Sequence, residues 1–211
     1  MKSFAADTAE LMNRRGAEGM QMQGDGSNER SNGGSNGESS GESSNVTVRW
    51  PVDLSHLRPE DAAEWVVARY GDGAMPILPE KIAEQMGIRV CALADHHRHS
   101  VYAGPDGGLR IVIDTNGSNH RKRFAVAHGL GHILLRHEHP PLEAWNSFGN
   151  HPPDPRDHAA NMFAASLLVP TEKLRWCVTS GWMRNVDHIV KTLWVPLELL
   201  EFRYQQLLRR R

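Results

Sequence analysis

Residues 121–139 read RKRFAVAHGLGHILLRHEH, and the fold is built around them. Phe124, Val126, Ala127, Leu130, Ile133, Leu134 and Leu135 spread apolar side chains over most of a helical circumference, the pattern of a helix packed on several sides. The loop 115–119 offers N-capping residues, so the helix starts near His120, and Pro140-Pro141 stops it. His128 and His132 lie four residues apart, so both imidazoles leave one face and can reach a single metal ion. In so apolar a helix, two imidazoles carry a burial cost unless they are hydrogen-bonded or metal-bound. Gly129 stands where a peptidase of the H-E-x-x-H type needs a glutamate to accept a proton from the attacking water. It has no side chain to do so, and in a helix it costs about 1 kcal/mol relative to alanine. Metal binding and catalysis therefore separate at this residue.

Downstream, the Pro- and Asn-rich stretch 140–155 leads to DHAANMFAASLLV, residues 157–169, a second strongly apolar helix stopped by Pro170. Packed antiparallel to the first, it brings Asp157 or His158 to the histidine pair, giving two histidines with an aspartate or three histidines. Segments 171–178 and 186–193 are shorter helices, and Pro196 opens an amphipathic last helix ending in Arg209, Arg210 and Arg211. Upstream, Pro59 and Pro79 each open a helix, with Gly71 and Gly87 as their stops. Between them and the central helix lie three β-like runs, 88–93, 100–103 and LRIVID at 109–114. A turn at Pro105-Asp106-Gly107-Gly108 joins the last two as an antiparallel hairpin. The order predicts an α+β domain in which a small antiparallel sheet packs against the central helices.

Residues 24–45 are almost entirely Gly, Ser, Asn and Glu, without the apolar area that would offset ordering, so residues 1–45 read as a disordered segment and linker. The folded domain then spans residues 46–211. With 24 basic and 25 acidic side chains the net charge is −1, which gives no global field for nucleic acid or an anionic membrane. No recognition helix with base-reading polar residues stands out, so direct nucleic-acid binding is not expected. Cys91 and Cys177 sit in apolar runs and form no disulfide framework, which fits a reducing, cytoplasmic compartment. No apolar run is long enough to span a bilayer.

Several features have plain structural readings. His96, His97 and His99 fit a solvated turn. His137 and His139 fit imidazolium groups at a helix C-terminus. Arg121, Lys122 and Arg123 fit a solvated helix end. Trp145, Trp176, Trp182 and Trp194 fit anchors between the C-terminal helices and the core. Tyr102 and His158 are candidates to stabilise an oxyanion. Glu143 and Asp154 are the carboxylates that could replace a missing base, whereas Glu138 lies more than two turns from His128.

Taken together, RFAVAHGLGHILLRH and the following D-x-x-AN-x-FAASLLVP resemble the ImmA/IrrE family of zinc metallo-endopeptidases. The likeness extends upstream through LPEKIAEQMGIRV and the IVID strand, and downstream to the last helix around Arg203. By position the resemblance implies Zn2+ held by His128, His132 and Asp157, the last being one methylene shorter than the family's glutamate, with His158 as the substitute ligand. It places the family's general base on Gly129. It further implies a role in transcription regulation and stress response, acting on a helix-turn-helix repressor. An impaired peptidase and a pseudo-peptidase that binds a regulatory protein without cleaving it are the two functional expectations.

Overall fold

The computed structural model describes residues 48–94, 100–104, 106–137, 154–180 and 186–209. These belong to the second of two units, Met1–Thr47 and Val48–Arg211. The N-terminal segment, His96, His97, His99, Glu138, His139, Pro140, Pro141, Glu143, Trp145, Trp182, Arg210 and Arg211 lie outside the described residues.

Helix α1, Pro59–Tyr70, has proline in its first turn and Glu60 and Asp61 beside it, where acidic groups favour the helix dipole. It buries Ala62, Ala63 and Val66. Helix α2, Pro79–Gln85, begins in the same way and buries Ile82 and Ala83. Gly87, at φ +72, then turns the chain into strand β1, Arg89–Leu93. Strands β2, Ser100–Ala103, and β3, Leu109–Asp114, form the expected antiparallel hairpin, with Ser100 opposite Val112 and Ala103 opposite Leu109. Gly107, at φ +70, and the bond from Gly104 N–H to Gly108 O close its turn.

The α+β class holds, but the sheet is mixed. Its order is β1-β3-β2, and β1 pairs with β3 in parallel, Arg89 opposite Arg110 and Leu93 opposite Asp114. β3 takes the centre because its side chains are the most apolar on both faces, leaving the shorter strands as edges.

Helix α3, Asn119–Leu134, is capped by Ser118, whose Oγ accepts from Arg121 N–H at 3.3 Å. Every residue from Arg123 to Leu134 is buried, as its apolar pattern predicts. It ends short of the prolines. Arg136 adopts φ +57, His137 N–H bonds His132 O at 3.0 Å and Arg136 N–H bonds Ile133 O at 3.3 Å, the paired bonds of a Schellman reversal. His137 is therefore past the helix rather than on its last turn.

Helix α4, Pro155–Leu168, lies along α3, and its N-cap Asp154 accepts from Arg156 N–H. Helices α5, Thr171–Thr179, α6, Val186–Leu193, and α7, Leu197–Arg209, complete the unit. Arg203 of α7 is buried and donates to Val169 O, satisfying a carbonyl just past the end of α4. Two further expectations are corrected. Arg123 is 3% exposed, not solvated; its guanidinium donates to Ile77 O, Leu193 O and Trp194 O and lies over the Trp194 ring. Trp176 is 50% exposed rather than buried in the core, whereas Trp194 fills the anchoring role through Arg123. Cys91 and Cys177 are both buried, and neither forms a disulfide among the described residues. No helix among the described residues is long and apolar enough to cross a membrane.

Candidate metal centre

Helix periodicity puts His128 above His132, and α4 brings Asp157 from its first turn to the same place. The three are 7%, 2% and 3% exposed. His128 Nε2 and His132 Nε2 are 2.9 Å apart, and Asp157 Oδ1 is 3.0 Å from the first and 3.6 Å from the second. Zinc bonds of roughly 2.0 to 2.2 Å at tetrahedral angles separate donor atoms by about 3.3 to 3.6 Å; the Asp157–His132 edge has that length, and the other two are shorter by about 0.3 to 0.4 Å. Among the described residues this is the group that could hold a metal ion, and His158 is not part of it. The shorter aspartate reaches because α3 and α4 approach closely. A Cβ on Gly131 would lie 3.1 Å from both Cα and O of Ala160 and 3.2 Å from Cβ of Phe163.

The electrostatics suit a cation. Burial pushes His132 down to about 4, against the pull of Asp157, so its ring is neutral and offers a lone pair at neutral pH. For Asp157 burial acts upward, but the adjoining His128 and His132 imidazoles outweigh it and hold the carboxyl at about 2, ionised. His137 is likewise lowered to about 4, by burial and then by Arg156, so it is not the dipole-favoured imidazolium expected from its position. Its Nδ1 lies 3.0 Å from His132 Nδ1. On the other side, His128 Nδ1 and both amide atoms of Asn161, one turn beyond Asp157, are buried without hydrogen-bond partners among the described residues.

The base position is filled by hydrocarbon. A Cβ built on Gly129 would meet Cγ2 of Ile111 at 2.8 Å and Cδ1 and Cγ1 at 3.1 Å. Ile111 is 1% exposed, in the central strand, and Cγ2 branches directly from Cβ, so it cannot swing aside as the end of a long chain would. Of the substitute groups, Asp154 caps α4 and pairs with Arg156 at 2.7 Å. Tyr102 stands opposite Arg110 in the sheet register, and neighbouring Ile111 faces α3. Strand alternation therefore directs Tyr102 to the face away from the metal triangle, which removes it as an oxyanion donor.

Spacing made His128 and His132 visible in the chain, the start of the next helix offered Asp157 or His158, and the resemblance pointed to Asp157. Spacing did not reveal His137, because the reversal that returns its ring to His132 depends on an arginine in a conformation favouring glycine. Nor did it reveal Ile111, which meets Gly129 only through the tertiary fold. Asn161 could have been found, since it lies four residues beyond Asp157 on the same helical face.

Among curated proteins no relative matches the chain. Residues 83–204, more than half of it, match the family model of the IrrE N-terminal-like domain, peptidase M78.

Proposed function

Because the chain belongs to the IrrE N-terminal-like family of metallopeptidases, we propose that it is a zinc-binding endopeptidase domain with impaired hydrolysis, whose protein partner is a helix-turn-helix repressor. Two imidazole nitrogens and one carboxylate oxygen are the donor set of many zinc sites, which favours zinc over the harder divalent ions. His128, His132 and Asp157 would hold the ion, and when bound it would supply Lewis acidity toward a peptide carbonyl. Asp157, ionised and buried, balances part of the ion's charge and fixes the two rings from the α4 side.

The observation that carries the impairment is the packing of Ile111 against Gly129. General-base catalysis typically contributes roughly 10² to 10⁴-fold, and this chain has no side chain at the family's base position and no room for one. Cleavage is slow for that reason, and binding without cleavage is its limit. The repressor as partner rests on the family resemblance.

The test measures zinc content and then cleavage of candidate helix-turn-helix repressors by the native chain and by an Ile111→Ala/Gly129→Glu double variant. The double variant is needed because Gly129→Glu alone would collide with Ile111. A stoichiometric zinc ion and a variant faster by about 10² or more support the reading. Equal rates would overturn the impairment, a native chain free of zinc would overturn the metal site, and failure to bind any such repressor would overturn the partner.

A further inference from the structure

We propose that His137 is a positioning residue for the metal centre, holding His132 in the tautomer and orientation that direct its Nε2 lone pair at the ion. The inference rests on reading His128, His132 and Asp157 as a metal site. His132 Nε2 faces His128 Nε2 and Asp157 Oδ1, so it must be free of its proton to bind a metal. That proton then sits on Nδ1, and a buried N–H requires an acceptor. The acceptor is His137 Nδ1, 3.0 Å away, with His137 carrying its own proton on Nε2. The rings meet edge to face, their centroids 5.0 Å apart, so His137 also blocks rotation of His132. Metal-bound histidines usually donate their second N–H to a carboxylate, carbonyl or water; here a second imidazole takes that place.

The placement is built rather than incidental. The Schellman bonds fix the backbone of His137 one turn beyond His132. They require Arg136 at φ +57, a left-handed conformation that favours glycine over a residue with a Cβ. The N-terminal stretch of the unit braces it. The Arg136 guanidinium lies 4.5 Å over the Trp50 ring and 3.5 Å from Asp53 Oδ2, and Leu54 N–H bonds Leu134 O at 2.9 Å. Trp50, Asp53 and Leu54 all precede the family-matched span, residues 83–204.

The experiment compares the native chain with His137→Phe, which keeps a ring but removes the acceptor, and His137→Asn, whose Oδ1 can replace Nδ1. Zinc affinity is read by competition with a chromophoric chelator, and the His132 tautomer by nitrogen NMR of the metal-free protein. His137→Phe should bind zinc about 10 to 100-fold more weakly and lose the single Nδ1–H tautomer of His132, with His137→Asn restoring most of both. Unchanged affinity in His137→Phe, or His132 protonated on Nε2 in the native protein, would overturn the proposal. So would equal losses in both variants, which would mark His137 as a space-filling residue only. A native chain that binds no zinc would fail the underlying site instead, a result distinct from zinc bound equally by all three.

Discussion

Gly129 and Gly131 are two residues apart in α3 and, at 100° per residue, face nearly opposite sides of it. Gly131 faces α4, where a side chain would strike the backbone of Ala160. Gly129 faces β3, where it would strike the side chain of Ile111. A backbone neighbour can move only with its whole helix, whereas a side-chain neighbour can be exchanged. The first glycine thus belongs to the architecture that brings Asp157 to the histidines, and the second belongs to one pair of packed residues. The same residue type, once after His128 and once before His132, has a fixed cause in one case and a replaceable one in the other.

The sharpest way to break this contrast is Gly131→Val, which should separate α3 from α4, cost about 3 kcal/mol in denaturant unfolding and abolish tight zinc binding. If it unfolds at the native midpoint, the close helix approach is not what assembles the site. Acid should attack the same side next. His132 and His137 have folded values lowered to about 4 from an ordinary 6.5, so between pH 6.5 and 4 the unfolded chain binds more protons and stability falls as pH falls. Asp157, held at about 2, extends the loss below pH 3.8. Metal-free protein followed by chemical denaturation should therefore lose stability from about pH 6.5 downward, and saturating zinc should delay that loss.

On the β3 side, Gly129→Glu alone should cost about 1 to 3 kcal/mol by overpacking. In a double-mutant cycle with Ile111→Ala the two changes should be coupled by about 1 kcal/mol or more in the favourable direction. Strict additivity would dissolve the proposed contact. Ile111→Val is the control, since it retains Cγ2 and should rescue nothing. The smallest effect is expected at Arg136→Gly, where relief of the left-handed backbone is offset by loss of the Trp50 stack and the Asp53 pair; the net change should stay within about 1 kcal/mol of zero. At Arg136 the backbone favours glycine and the chain has arginine. At 129 and 131 space demands glycine and the backbone does not.

What was legible in the chain follows the range of the interactions. Helices α3 and α4 and the β2–β3 hairpin are written in local periodicity and turn residues, and four-residue spacing aligned His128 with His132. The parallel pairing of β1 was not legible, because alternation identifies a strand without identifying its neighbour. Arg123 was misread as one of three solvated bases, though its helical phase places it with Ala127 and Leu130 on a buried stripe. The end of α3 was misjudged because prolines at 140 and 141 are a strong stop signal, and Arg136 turns the chain earlier through contacts to Trp50 and Asp53.

The Ile111 contact has a consequence for descent as well as for chemistry. Glutamate introduced at 129 would meet an occupied seat, so the first step toward that residue costs folding stability before any activity is gained. Shrinking residue 111 first opens a cavity in the central strand, typically about 2 to 5 kcal/mol for isoleucine to alanine. Both mutational orders pass through a less stable intermediate, and the glycine is tied by packing to a residue of another element, 18 positions earlier in the chain.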